Sequence, residues 1–416
     1  MPKDGTRVGV GCETRRPPSP VEWFDRRYTK EKDDTTHMKV TLGKKGLLSA
    51  LRATQSTCSK RSTLPILSHV LIEARETVVT FLTTDLEAAL QYTVPSDGIE
   101  YTGRCTVDHQ ALLEIARSIP GDTVTLSFSD DVLRLEADTL TTSFEATDAE
   151  DYPNIPDPTD GEQMIVDDVA AFVQVAARVI PSAADDDSRP VLTAVYLDWR
   201  DDVLTMVAAN AFQMALDRLP VEGGWEDQGA VLVPARTLKF AAKHLPKQGR
   251  LTVAARGVYL SLECGPVKLT SRLIEGQYPR YASIIPREAD VTATFTVPSG
   301  DLLEALKVTA PIAHKASEIT RFRLHLADEV SGEGVTISAQ HEDMKDPLRF
   351  EVATAAVSAA SETVLNNRYL TSLTSALKPA TVTVALGRRP EASPVKITSP
   401  DYPSYIGVCM PMHINR

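Results

Sequence analysis

Asp185, Asp186 and Asp187, consecutive in the run AADDDS, are the first residues whose type and spacing could do chemistry. Adjacent carboxylates can hold a hard divalent cation and so serve a metal-dependent enzyme. Such a site needs further oxygen ligands at defined spacing, and the flanking sequence supplies none, so a solvated connection is the better account of the run. His109, His244, His314 and His341 fall in no HExxH pattern and beside no GxSxG nucleophile, and no GxxxxGKS or GxxxxGKT phosphate loop occurs. Cys12, Cys58, Cys105, Cys264 and Cys409 are odd in number and never spaced CxxC. That is the usage of reduced thiols in a cytosol, not of a disulfide framework or a structural zinc. No catalytic residue, metal or cofactor is expected, and the expected location is cytoplasmic.

A second kind of chemistry is electrostatic. In PARTLKFAAKHL, Arg236, Lys239 and Lys243 stand at i, i+3 and i+7, which is one face of a helix. Lys45 and Arg52 lie seven apart in KKGLLSALRATQST, with Lys60 and Arg61 just beyond it. Arg178 and Arg189, then Lys307, Lys315, Arg368 and Lys378, occupy or follow other helical stretches. The acids gather in connections such as TDAED and ADDDS. On any single helix such cations are an ordinary solvated face. Repeated on equivalent helices they make a surface for a polyanion, which the net charge of −12 does not exclude, because a total says nothing of distribution. An acidic body with a basic lining would hold phosphates through salt-dependent contacts without reading bases.

The elements that carry these residues repeat. Tyr-Pro pairs at Tyr152, Tyr278 and Tyr402 recur at a period of about 125 residues. Before each lie two segments of one layout: a short alternating strand, an amphipathic helix and three more alternating runs. The helices are KKGLLSALRATQST, DHQALLEIARSI, DDVAAFVQVAARVI, PARTLKFAAKHL, SGDLLEALKVTAPI and NRYLTSLTSAL. PILSHVLIEA and VLTAVYLDW read as strands, and YIGVCMP as the last one. The pattern predicts an α+β chain of three tandem domains, 38–157, 162–288 and 291–416, each two βαβββ half-repeats with two helices and eight strands. Each Tyr-Pro stretch is expected to be an exit, where proline ends sheet pairing. Residues 1–37 mix prolines with balanced charge and show no periodicity, as a disordered extension would. No window approaches 18 uninterrupted apolar residues and no secretory h-region precedes Met38, so no membrane is expected.

From Met38 onward the sequence resembles the bacterial DNA polymerase III beta subunit family, the sliding clamps. The pieces that carry the resemblance are STLPILSHVLIEA (62–74), SRPVLTAVYL (188–197), VLVPARTL (231–238), SRLIEGQYPRY (271–281) and MPMHI (410–414), all in order. The resemblance implies a processivity factor without a catalytic site: a head-to-tail homodimer of six domains in a ring. Twelve helices would line the hole, facing double-stranded DNA. It implies that Arg61, Arg189 and Arg236 face DNA. It also implies a cleft between the second and third domains for peptide segments of the polymerase III alpha subunit, the clamp-loader delta subunit and other proteins with clamp-binding motifs. The walls carried over are Pro279, Ile284, Val408, Met410 and Met412, with Ala209, Ala211, Phe212, Gln213 and Met214 from AANAFQMA (208–215). That last run departs from the family's Thr-Asp-Gly-(His/Tyr/Phe)-Arg-Leu-Ala. Asn210 replaces the acid, Ala211 the glycine, Gln213 the arginine and Met214 the leucine. Core packing would account for Phe212 and Met214 equally well. Phe144 and Ile312 fall at the family's dimer contacts, while the basic residues often found near the first are absent from EADTLTTSFEA. A divergent paralogue of plasmid, phage or resistance type, with altered partner preference, is the alternative.

Overall fold

Among the described residues, six helices form where apolar residues recur at helical spacing, each after a strand: α1 (Lys44–Thr54), α2 (His109–Ser118), α3 (Val169–Val179), α4 (Ala235–His244), α5 (Ser299–Lys315) and α6 (Asn367–Ser375). The computed structural model describes residues 37–59, 63–147, 149–224, 229–326, 334–352, 355–377 and 380–412. Residues 1–36 of the expected extension, and Lys60, Arg61 and Lys378, lie outside the described residues. Asp108, Asp168 and Asn366 cap α2, α3 and α6 by accepting from the backbone N–H of Ala111, Ala170 and Tyr369. Each cap satisfies a donor that a helix start leaves orphaned.

Three strands follow each helix. The first unit runs Met38–Gly43, α1, His69–Arg75, Val78–Thr84 and Ala88–Pro95, then Gly103–Asp108, α2, Thr123–Ser129, Val132–Ala137 and Leu140–Thr147. The second and third units keep this order. Short strands that the repeat did not foresee, Gly98–Tyr101, Glu222–Gly223 and Ala356–Val357, follow the first half of each unit. The helices pack in pairs, α1 with α2, α3 with α4 and α5 with α6. Their apolar faces close over the sheets, and Leu47, Leu51, Leu112, Phe172, Leu238, Leu302 and Leu370 are fully enclosed.

The sheets run across the units. Ala88–Pro95 of the first pairs antiparallel with Val267–Arg272 of the second, Leu90 opposite Leu269, inside one 14-stranded sheet. Gln213–Pro220 of the second pairs with Tyr402–Cys409 of the third, Met214 opposite Val408, inside a 9-stranded sheet. Both junctions obey one rule: the strand ending a unit's first half meets the strand ending the next unit's second half. A 4-stranded sheet in the third unit ends on Leu348–Val352.

Three local expectations are corrected. PILS and the VL of VLTAVYLDW, read as the starts of strands, lie in 3-10 turns at Pro65–Ser68 and Pro190–Leu192. Proline presets the first position of each turn. Ser68 Oγ and Thr193 Oγ1 close the turns by donating to the carbonyls of Pro65 and Pro190, each at 2.8 Å. The third Tyr-Pro is no exit, since Tyr402 opens the last strand. Pro403 is tolerated there because the neighbouring ladder is irregular between Ile397 and Ser399 and pairing with Gln213–Pro220 begins only at Ile406.

Candidate nucleic-acid and partner interface

The cations of the helices stand opposite their buried faces. On α1, Leu47, Ala50, Leu51 and Thr54 point inward, and Lys45 and Arg52 are exposed. On α4, Ala235, Thr237, Leu238 and Ala241 are buried, and Arg236, Lys239 and Lys243 are exposed. Lys307 and Lys315 on α5, Arg368 on α6 and Arg189 before its 3-10 turn are exposed as well. Two of these already have a carboxylate neighbour. Arg236 meets Asp85 of the first unit at 3.2 Å, and Arg368 meets Asp185 at 3.7 Å. Such exposed pairs contribute about 0–1 kcal/mol each, so a phosphate can compete for either arginine. His244, at the end of α4, is half-buried and bonded to Ser56 Oγ of the first unit at 2.5 Å. Burial, with Lys243 beside it, pushes its pKa down to about 4, and the ring is neutral near pH 7.

Arg178 does not belong with this surface. Its Nε donates to Asp217 Oδ2 at 2.6 Å, its side chain is 12% exposed and that of Asp217 is fully enclosed. The guanidinium lies 4.5 Å over the Tyr402 ring, and Ser404 Oγ donates to Asp217 Oδ1 at 2.6 Å. Because Tyr402 and Ser404 sit on the third unit's last strand, the arginine is committed to the junction between units. The acid inside the apolar run QMALDRL is the sequence signal that could have found the pair, since a carboxylate there needs a buried cation.

At that junction the chain turns sharply at Asn210 and Ala211. Asn210 Oδ1 accepts from the N–H groups of Phe212 (3.2 Å) and Gln213 (3.0 Å), and Ala211 has φ 75°. The first unit makes the same turn: Asp85 Oδ1 accepts from Glu87 and Ala88 at 3.1 and 2.8 Å, and Leu86 also has φ 75°. Asparagine therefore does here what aspartate does there, while Ala211 carries left-handed strain that glycine would not.

The turn thrusts Phe212 outward, 56% exposed, where its ring stacks on Tyr369 of α6 at 5.9 Å. Its carbonyl accepts from the Met410 N–H at 2.8 Å. Met410 and Met412 are half-exposed, and Pro279 and Ile284 are exposed. Ala209, Gln213, Met214 and Val408 are buried rather than exposed: Met214 and Val408 are each 2% exposed and pack with Leu216, Leu232 and Tyr278. The residue types alone cannot separate exposed from buried here. Sequence reasoning missed Tyr369, and it missed Tyr196, which stacks on Tyr278 at 5.1 Å. A pocket of about 410 Å³ opens beside Phe212, bordered by Asp185, Asp186, Gln213, Arg368 and Ser372. Phe144, on Leu140–Thr147, and Ile312, on α5, are half-buried.

The aspartate run is engaged in its own turn. Asp186 accepts from the N–H and hydroxyl of Ser188, bonds that hold its carboxyl below the usual range. Among the described residues no group of three or more His, Cys, Asp or Glu could hold a metal. Nor is any described helix long and apolar enough to cross a membrane.

Residues 38–156 match the DNA polymerase III beta subunit, N-terminal domain, and residues 168–280 match its central domain. The chain belongs to the DNA polymerase III beta subunit family. Its function is that of a sliding clamp, and the family is a processivity factor, not a catalyst. The beta sliding clamp of Micrococcus luteus is 28% identical over 283 residues, covering 67% of this chain and 89% of that one. The beta sliding clamp homolog GriR of Streptomyces muensis is 27% identical over 272 residues, 62% of this chain and 69% of that one. A sliding clamp of Pseudomonas aeruginosa, solved bound to griselimycin, superposes with a TM-score of 0.82 at 22% identity, over 91% of this clamp and all of the other. That likeness is one of fold.

Proposed function

We propose that two copies of this clamp close head to tail around duplex DNA and tether the replicative polymerase to its template, without a catalytic centre of their own. One observation carries the reading. Both internal junctions join the end strand of a first half to the end strand of the next second half, and that rule leaves two strands without a counterpart. Leu348–Val352 is the edge of its sheet, and Leu140–Thr147 is paired on its second side only at Ala146 and Thr147. A second copy supplies each with the other, which abolishes the free edges that soluble proteins otherwise have to block. Domains bounded at 38–157, 162–288 and 291–416 would then be six around the ring. Phe144 and Ile312 would lie near the two contacts, and Lys45, Arg52, Arg189, Arg236, Lys239, Lys243, Lys307, Lys315 and Arg368 would face the duplex.

The cleft around Phe212, Met410, Met412, Pro279 and Ile284 would take peptide segments of the polymerase alpha subunit, the loader's delta subunit and other partners in the cytoplasm. An exposed aromatic with adaptable methionines suits such anchors. The test is the solution mass by light scattering, followed by retention on circular DNA. Twice the 45.3 kDa chain, with retention lost when the circle is cut, supports the ring. A monomer at micromolar concentration, or retention indifferent to cutting, overturns it. The second reading, a specialised paralogue, is favoured by the strained Ala211 and the uncharged Gln213. It is distinguished by failure to bind peptides that general clamps accept.

A further inference from the structure

The third unit departs from the other two where its second and third strands of the first half meet. Val78–Thr84 and Val203–Ala209 reach their neighbours through the tight turns at Asp85 and Asn210, whereas Gly334–Ala339 reaches Leu348–Val352 through residues 340–347. The longer connection walls a cavity of about 630 Å³ on the solvent face of the 4-stranded sheet, with Gln340, His341, Glu342 and Pro347 on its side. We propose that this cavity binds a small organic phosphate, its phosphate group seated between Arg321 and Arg349.

Strand register sets the polar groups in two rows. Arg321, Ser338 and Arg349 stand opposite one another on Ile319–His325, Gly334–Ala339 and Leu348–Val352. Glu362, Arg323, Thr336 and Glu351 make the next row. That row is satisfied within the sheet: Arg323 donates to Glu362 at 3.1 Å, and Thr336 Oγ1 and His325 share Glu351 Oε2. Arg321 also leans on Glu362, through Nη1 alone. The Arg349 guanidinium and the Ser338 hydroxyl have no partner among the described residues. Both are donors, and adjacent strands lie about 4.8 Å apart, so Arg321 and Arg349 can close from two sides on one anion above Ser338. Guanidinium forks match phosphate oxygens. The three arginines are balanced by Glu342, Glu351 and Glu362, so placement and not net charge selects the anion. The row through Ser338 holds two cations and no carboxylate, and Glu342 is exposed at the rim. A bare phosphate would leave most of the cavity unfilled, since its volume is that of small-molecule sites, about 300–1,000 Å³. Glu342 and Glu351 Oε1 are the acceptors left for hydroxyl groups on the rest of the ligand, such as those of a sugar.

The experiment is titration calorimetry of the full chain, in metal-free buffer at low salt, with ATP, pyrophosphate and adenosine as probes. ATP is expected to bind at least tenfold tighter than pyrophosphate, and adenosine not to bind. Arg349→Gln, at an exposed position where folding is not at stake, should weaken ATP at least tenfold without moving the melting temperature of the unliganded chain. Ser338→Ala should weaken it in the same direction. Pyrophosphate binding as tightly as ATP overturns the organic ligand. ATP binding that survives Arg349→Gln, or that is lost on replacing Lys239 and Lys243 by Ala, puts the anion elsewhere and overturns the site. Absence of ATP binding at about 1 mM overturns it outright. None of these outcomes bears on the ring or on the cleft.

Discussion

Arg178 and Asp217 are a pair whose value lies in being complete. With the carboxylate enclosed and bonded on both oxygens, Arg178→Met should cost about 3–5 kcal/mol, because it strands a buried charge. Urea denaturation of that variant checks this, and joint replacement of Arg178 and Asp217 by apolar residues should recover most of the loss. The DNA affinity of the folded R178M variant should be unchanged, which separates it from the exposed lysines. His244 makes a pH-dependent contribution. Its folded pKa is depressed to about 4 from the ordinary 6.5, so the folded state binds fewer protons than the unfolded chain between those values. Stability from this group is full above pH 6.5 and declines as pH falls toward 4. His244→Gln, which keeps a hydrogen-bonding group near Ser56, should flatten the melting temperature in that window, and thermal scans at several pH values read the difference. The acid within QMALDRL hints at a buried pair, but that its partner is Arg178, and that Ser56 meets His244, is decided only by folding.

At the scale of the element, α4 is the clearest case of a helix built to be two-faced. Its buried Ala235, Leu238 and Ala241 and its exposed Lys239 and Lys243 were both readable from spacing. Replacing Lys239 and Lys243 by Ala should lower the dependence of log K on log salt by about 0.9 for each phosphate no longer neutralised. Titrations of duplex DNA at several salt concentrations check it, and an unchanged slope would remove the helix from the DNA surface. Strand boundaries were less legible than helices. PILS and PVL contain only apolar residues, proline and serine, and alternation cannot separate a strand from a 3-10 turn that precedes one. Their turns are set by the proline and by a hydroxyl closing back on it, a local device that hydrophobic periodicity does not register. The turn at Asn210 escapes a reading by residue type for a related reason. By type the substitution removes a charge, whereas the oxygen that accepts two N–H groups is retained.

For the whole molecule, the sheet edge at Leu348–Val352 and the partly paired strand Leu140–Thr147 would carry the proposed assembly. Thr142 is half-buried on the inward side of Leu140–Thr147. Thr142→Lys would put a charge where strand addition must bury it, a device by which natural edges resist pairing. The dimer dissociation constant, followed by sedimentation, should rise at least tenfold while the melting temperature of the monomer changes little. Loss of the monomer's fold instead would show that the residue serves its own sheet. The sequence by itself determined the repeat, the six helices, their apolar faces and the family, because periodicity and local motifs are properties of neighbours along the chain. Only the tertiary structure decided that Arg178 is withdrawn into a junction, that Met214 and Val408 are buried while Phe212 is exposed, and that Leu348–Val352 ends its sheet. Burial and strand pairing are set by residues far apart in sequence, and chemically alike side chains are told apart only by what packs over them.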